Sequence, residues 1–162
     1  MGSASDRRGQ RMDAVRLIVT SRHALAVSGD VRELLTEVWQ ALALVEAIGS
    51  RLAVAGPPEL RGDALGLTEL AGRGCAVLGT PDPPPGEPRA AHLTELGDPR
   101  PVLMHLGGLL GEVGIALVGL ACSAEDESTY WQCMEAIDAA DESRDRTQKM
   151  LQTLTTRERE PS

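Results

Sequence analysis

The sequence contains no phenylalanine and no asparagine, and Lys149 is its single lysine. Alanine, glycine, arginine and proline are abundant instead, which is typical of a GC-rich genome because the missing residues need AT-rich codons. Segments in which apolar and polar residues alternate strictly are also lacking, so the sequence offers no candidate β-strand. These absences exclude a fold built on a sheet and favour an all-α protein.

Metal-binding, disulfide and secretion patterns are absent as well. Cys75, Cys122 and Cys133 have neither paired nor metal-ligand spacing, and no histidine follows a carboxylate by three residues. Residues 1–11 are polar and basic without an apolar core segment, so they do not form a secretory signal. We therefore predict a cytoplasmic protein with reduced, buried thiols, no metal and no cofactor.

A segregated basic surface is also missing. The net charge is −8, and the arginines are spread thinly along the chain, so phosphates would be repelled and nucleic acid is disfavoured as a partner. At 162 residues the chain is long enough for one domain and too short for two. We expect a flexible extension over residues 1–12, a helical domain over 13–155 with a proline-rich surface loop over 80–88, and a flexible tail over 156–162.

The longest apolar segment, PVLMHLGGLLGEVGIALVGLAC at residues 101–122, has one formal charge, Glu112. A carboxylate near the middle of a membrane span costs about 3 kcal/mol on insertion scales, so we interpret the segment as a central core helix and not as a span. Its glycines each weaken a helix by up to about 1 kcal/mol, which close approach of another backbone would offset. Four positions form one flat stripe: Gly107, Gly111, Gly114 and Val118. We predict that a second helix lies closely against this glycine stripe.

Helical periodicity predicts four further helices around the central one, and their expected bounds are residues 13–27, 30–55, 57–78 and 125–155. A shorter helix is predicted over residues 89–96. Because the turn before the last helix is tight, that helix should lie antiparallel to the central one. Small residues along the third helix predict that it is the close partner of the central helix. The expected fold is an all-α, single-domain bundle of about five helices.

One face of the last helix carries an aromatic and three acidic residues: Trp131, Glu135, Asp138 and Glu142. Tryptophan is enriched among interface hot spots, so we predict a non-enzymatic interaction or regulatory module that presents this face to another protein or to its own copy. The alternative for Trp131 is that it folds over the end of the bundle. Helical spacing also pairs Glu142 with Arg146 and Asp145 with Lys149.

A second hypothesis is a ligand-binding or enzymatic bundle. His105 and Glu112 fall on one face of the central helix, roughly 10 Å apart, and could line one polar pocket floored by Gly108. A buried carboxylate must be paired or protonated, however, so an ion pair of Glu112 with Arg51 or Arg73 is the favoured interpretation.

Three segments carry a resemblance: GPPELRGDALGLTELAGRG at residues 56–74, LLGEVGIALVGLAC at 109–122 and YWQCMEAIDAADES at 130–143. Together they resemble an uncharacterised family of small actinomycete proteins, a domain of unknown function. The similarity covers most of residues 12–154. The resemblance implies a cytoplasmic protein from that source, and it assigns no functional residues because the family has no assigned activity.

Overall fold

A computed structural model describes residues 12–159, which form five α-helices joined mostly by short connections. The helices are α1 (Ala14–Val27), α2 (Val31–Ala55), α3 (Arg61–Leu78), α4 (Pro99–Cys122) and α5 (Glu127–Arg159). They pack around one apolar core to which every helix contributes. The predicted all-α, single-domain bundle is therefore confirmed.

Four helices begin after an aspartate whose carboxylate accepts a hydrogen bond from a backbone N–H of the first turn: Asp13, Asp30, Asp98 and Asp126. Such caps satisfy N–H groups that have no partner inside the helix. At α2 the cap is reciprocal, because Glu33 accepts from the backbone N–H of Gly29 at 2.8 Å while its own N–H donates to Asp30 at 2.8 Å. These aspartate caps therefore mark where the four helices begin.

Two very short strands depart from the expected absence of strands. β1 (Met12–Asp13) and β2 (Leu93–Glu95) pair in parallel, and a 3-10 turn, Arg89–His92, precedes β2. The helix predicted over residues 89–96 is thus wrong beyond its first turn. A strand of two or three residues has no periodicity that a sequence could reveal.

The ends of the chain differ from the predicted domain bounds by a few residues. Residues 1–11 of the expected N-terminal extension lie outside the described residues, as do residues 160–162 of the expected tail. α5 continues four residues past its predicted end, to Arg159. Its last turn is attached to the bundle by two ion pairs, Arg100 with Glu158 and Arg157 with Glu59.

The packing order of the helices differs from the prediction at α3. α4 lies against α5 over most of its length and also contacts α1 and α2, whereas α3 packs mainly against α2 and α5. A side chain added at Gly74 of α3 would meet Leu42 of α2 and Ala139 of α5. The prediction that α3 is the close partner of α4 is therefore wrong, because small residues indicate a close contact but not which helix makes it.

α2 and α3 cross closely at Gly49 of α2, where a Cβ atom would be 3.2 Å from both the carbonyl oxygen of Ala64 and the backbone nitrogen of Thr68. Thr68 reinforces this crossing, since its hydroxyl lies 3.1 Å from the Ala64 carbonyl and 3.4 Å from the Glu46 carbonyl of α2. Only glycine lets the two backbones approach this closely.

Two helices, α2 and α4, are long and apolar enough to cross a membrane by length and composition alone. About half of the apolar window of each is buried inside the bundle. Core helices of soluble proteins have the same property. The cytoplasmic location stays a prediction.

Candidate functional site

Glu112 of α4 forms an ion pair with Arg22 of α1, not with Arg51 or Arg73. The Arg22 Nε atom lies 3.0 and 3.1 Å from the two carboxylate oxygens, and Nη2 lies 2.7 Å from Oε1. Arg51 is exposed on α2 and donates to the Leu93 carbonyl at 3.4 Å, while Arg73 is exposed on α3. The predicted partner is wrong because this side of α4 faces α1.

Gly108 makes room for the ion pair. A Cβ atom at this position would lie 2.6 Å from Arg22 Nη1 and 2.8 Å from Cζ, so the guanidinium rests directly on the α4 backbone. Its hydrogen bonds to Glu112 raise the pKa of Arg22 above its ordinary value, although partial burial opposes this effect. The arginine therefore remains charged at all pH values at which the protein folds.

The Arg22 and Glu112 side chains are 35% and 39% exposed, and they form part of the wall of a groove of about 410 Å³. The rest of the wall is largely apolar: Leu25, Ala26, Ser28, Leu34, Ile115 and Ala116. His105 is not one of the lining residues, and its Nδ1 atom is buried without a hydrogen-bond partner among residues 12–159. The structure thus places the two residues of the predicted polar pocket in separate surroundings.

All four residues of the predicted interaction face, Trp131, Glu135, Asp138 and Glu142, are exposed on α5. Trp131 is 56% exposed, and the neighbouring ring of Tyr130 contacts it edge-on with centroids 5.2 Å apart. We call these four residues the acidic face. Its tryptophan projects from the helix and is not folded into the end of the bundle.

Two positive charges of α5, those of Arg146 and Lys149, turn away from the acidic face. Arg146 Nη1 and Lys149 Nζ lie 3.3 and 3.7 Å from Oδ1 of Asp63, a largely buried carboxylate on α3. The Arg146 guanidinium passes over Gly66, where a Cβ atom would be 2.8 Å away. The predicted pairs of Arg146 with Glu142 and of Lys149 with Asp145 are therefore wrong.

The reason for these different pairs is solvation, since an ion pair is stronger where solvent screens it less and Asp63 is much less exposed than the acids along α5. As a result, Glu135, Asp138 and Glu142 have no ion-pair partner among the described residues.

The glycine stripe of α4 faces α5, and the predicted antiparallel arrangement of these two helices is confirmed. The Cβ positions of Gly107, Gly111 and Gly114 are 3.7 Å from atoms of Thr147, Arg144 and Asp141 respectively. This is ordinary van der Waals contact with side chains. The expected close approach of backbones is wrong here, because α5 presents long polar side chains to the stripe. A groove of about 310 Å³ remains between the two helices.

The sequence interpretation missed a polar cluster around Arg89, at the end of the proline-rich loop. Its guanidinium donates to the Ser21 hydroxyl at 3.1 Å and to the Glu37 carboxylate at 3.0 Å. Its backbone N–H donates to the Gln40 side chain at 2.8 Å. Ser21 and Gln40 are buried on the inner faces of α1 and α2. Polar residues at those inward positions were the signal for this cluster, which attaches the loop to the bundle.

Within residues 12–159, no three histidine, cysteine, aspartate or glutamate side chains are placed to hold a metal ion. No curated protein and no solved structure gives a significant match to the chain. Residues 12–153 match one family, described as "Family of unknown function (DUF6099)". That match covers all five helices except the last turns of α5. The chain therefore belongs to the DUF6099 family, and the predicted membership of an uncharacterised family is confirmed.

Proposed function

We propose that the protein is a non-enzymatic interaction module that binds another protein through the acidic face of α5. The observation that supports this proposal is the separation of charge on that helix. Two of its cations, Arg146 and Lys149, contact Asp63 on α3, while the carboxylates of the acidic face point to solvent around an exposed tryptophan. Protein interfaces commonly place an aromatic anchor at the centre of a polar rim.

The chemistry of the acidic face indicates the kind of partner. Three carboxylates without counter-charges attract a basic surface and accelerate its approach, because complementary charges steer diffusional encounter. Trp131 needs an apolar pocket at the centre of that surface, since buried aromatic anchors contribute most of the binding energy. We expect Trp131→Ala to weaken binding by about 2 kcal/mol or more, a factor of roughly 30.

Site-specific photo-crosslinking in the native host tests this proposal. A photoreactive amino acid at position 131 should capture a discrete partner, whereas the same group at position 54 should not. Val54 is 88% exposed on α2 and serves as the matched control. Capture at 131 should disappear when Glu135, Asp138 and Glu142 are changed to lysine and should decrease with added salt. Equal capture from both positions, or capture that survives the charge reversal, would refute the acidic face as a binding surface.

A second candidate is a small-ligand site at the groove beside Arg22 and Glu112. It is supported by the partial exposure of that ion pair at the edge of an apolar groove of about 410 Å³. The mostly apolar wall favours a ligand with an apolar body and one polar group. Glu112→Gln would then remove binding of a metabolite from a host extract while leaving the acidic-face crosslink intact. If Glu112→Gln removes no metabolite binding, the result supports the interaction module instead.

A further inference from the structure

The outward side of α4 carries a row of positions that includes three exposed apolar side chains. Met104, Ile115 and Val118 are 61%, 76% and 51% exposed there. Their positions belong to one row at spacings of four, three, four, three and four, which we call the outer stripe: Met104, Gly108, Gly111, Ile115, Val118 and Cys122. Exposed apolar residues gathered in one row indicate a contact surface, whereas scattered ones do not.

The two halves of the outer stripe differ in shape. Gly111 leaves the first half low, next to Gly108 and the Arg22 guanidinium that rests on it, whereas Ile115 and Val118 project from the second half. If a second copy of α4 is laid antiparallel about a two-fold axis near Val113, Ile115 faces Gly111 of the second copy and Val118 faces the Arg22 guanidinium on Gly108. Ile115 thus meets the low position at Gly111, and the symmetry repeats this contact in both copies. In a parallel arrangement each residue would face its own copy, so Gly111 would face Gly111 and Ile115 would face Ile115.

The same two-fold arrangement is also complementary in charge. Asp141 and Arg144 of α5 border the outer stripe, beside Gly114 and Gly111 respectively. Both are exposed, and neither has an ion-pair partner among residues 12–159. In the antiparallel dimer, Asp141 of one copy lies at the same height along the helix as Arg144 of the other, within about one residue. By symmetry this pairing occurs twice. We propose that the outer stripe is a homodimer interface formed by antiparallel α4 helices.

The size of the surface indicates a reversible dimer. The stripe is about 27 Å long, from the helical rise of its 18 residue steps, and roughly 12 to 15 Å wide with the border of α5. It would bury on the order of 400 Å² per copy, about half of a standard interface. Association should therefore depend on protein concentration. The inference does not depend on the proposed function, since the acidic face belongs to a different helix.

Sedimentation equilibrium of the full, reduced chain over a hundredfold concentration range tests the dimer. Wild type should associate, and both Ile115→Asp and Gly111→Leu should remain monomeric, a loss of at least about tenfold in association. Ile115→Asp should keep helical circular dichroism because Ile115 is exposed, and Gly111→Leu should keep it because the flexible Arg144 side chain, 3.7 Å from a Cβ at Gly111, can move aside. Val54→Asp on α2 is the control and should associate like wild type.

A charge swap tests the register. Asp141→Arg or Arg144→Asp alone should weaken association, and the two changes together should restore it, because the pairs re-form with opposite sign. Failure of the double variant to recover would overturn the proposed two-fold arrangement.

Cysteine crosslinking tests the direction of the helices. Met104 and Cys122 of opposite copies lie face to face in the antiparallel dimer, so Met104→Cys should give a disulfide-linked dimer when treated with diamide. The same variant with Cys122→Ser, and wild type alone, should not crosslink. Crosslinking of wild type through Cys122 would instead show parallel helices and overturn the proposal. A monomer at every concentration, including one that binds phosphatidylcholine vesicles through Ile115, would overturn it too.

Discussion

Replacing Gly108 by alanine tests how the Arg22–Glu112 ion pair is built. The added Cβ would be 2.6 Å from Arg22 Nη1, which is closer than non-bonded atoms tolerate. Because that atom lies at the end of a flexible side chain, the guanidinium would move away and not the helix. The mutation should therefore uncouple Arg22 from Glu112 without disturbing the packing of α1 against α4.

Two effects of similar size act on the free energy of unfolding. Alanine in place of a mid-helix glycine stabilises by up to about 1 kcal/mol. The ion pair is more than one third exposed on both sides, so solvent screening limits its contribution to about 1 kcal/mol even with its two-pronged geometry. We expect a net change close to zero for Gly108→Ala. Glu112→Gln alone should cost up to about 1 kcal/mol, less than expected for a fully buried pair.

Urea unfolding of the two single variants and the double variant measures the coupling. In wild type Glu112→Gln should lower the midpoint, whereas in Gly108→Ala the same change should have almost no effect. Gly62→Ala on α3 is the control, because nothing lies within 4 Å of its Cβ position and the gain in helix propensity meets no opposing contact. The reasoning is wrong if Gly108→Ala stabilises as much as Gly62→Ala and Glu112→Gln costs the same in both backgrounds.

Three other predictions concern separate parts of the molecule. Gly49→Ala should destabilise the protein by roughly 1 to 3 kcal/mol in urea unfolding, because its Cβ would press on the backbone of α3, and an unchanged midpoint would contradict the close crossing. In the native protein DTNB should react quickly with one thiol only, the exposed Cys122. Burial raises the pKa of the Cys75 thiol to about 12 and also raises the pKa of Cys133, so both should react slowly. A second fast-reacting thiol would contradict this expectation. Hydrogen bonding to Thr129 at the start of α5 lowers the pKa of Asp126 below its ordinary 3.8. The loss of stability caused by Asp126→Ala should therefore be constant above pH 3.8. It should disappear as the pH falls through the lowered pKa of Asp126, which pH-dependent unfolding measures.

Much of the fold could be predicted because its determinants are local. Helix periodicity and the short turn before α5 depend on residues that are close in sequence, and both predicted the helices correctly. The close partner of α3 could not be predicted in the same way. A glycine such as Gly74 allows close contact, but the neighbour it meets is set by how all five helices fit together.

The ion pairs show the same limit for the candidate site. Arg22 lies among apolar residues on the inner face of α1, and that position was the signal that it had a buried or half-buried acceptor. The sequence could not rank it above Arg51 or Arg73 without the helix arrangement. On α5 the spacing of four residues predicted local pairs for Arg146, yet a less exposed acid on another helix was the stronger partner.

The glycines of this protein have three different roles, and only two of these roles are explained by contacts within one chain. Gly49 allows two backbones to cross, and Gly66 and Gly108 each hold an arginine side chain against a helix. Gly111 differs, since its Cβ position is open enough for a side chain and borders an exposed groove. A glycine in mid-helix still weakens α4 by up to about 1 kcal/mol relative to alanine. Within the described residues only the Arg144 side chain comes into contact with this position, at 3.7 Å, whereas Ile115 of a second copy would fill the groove beside it.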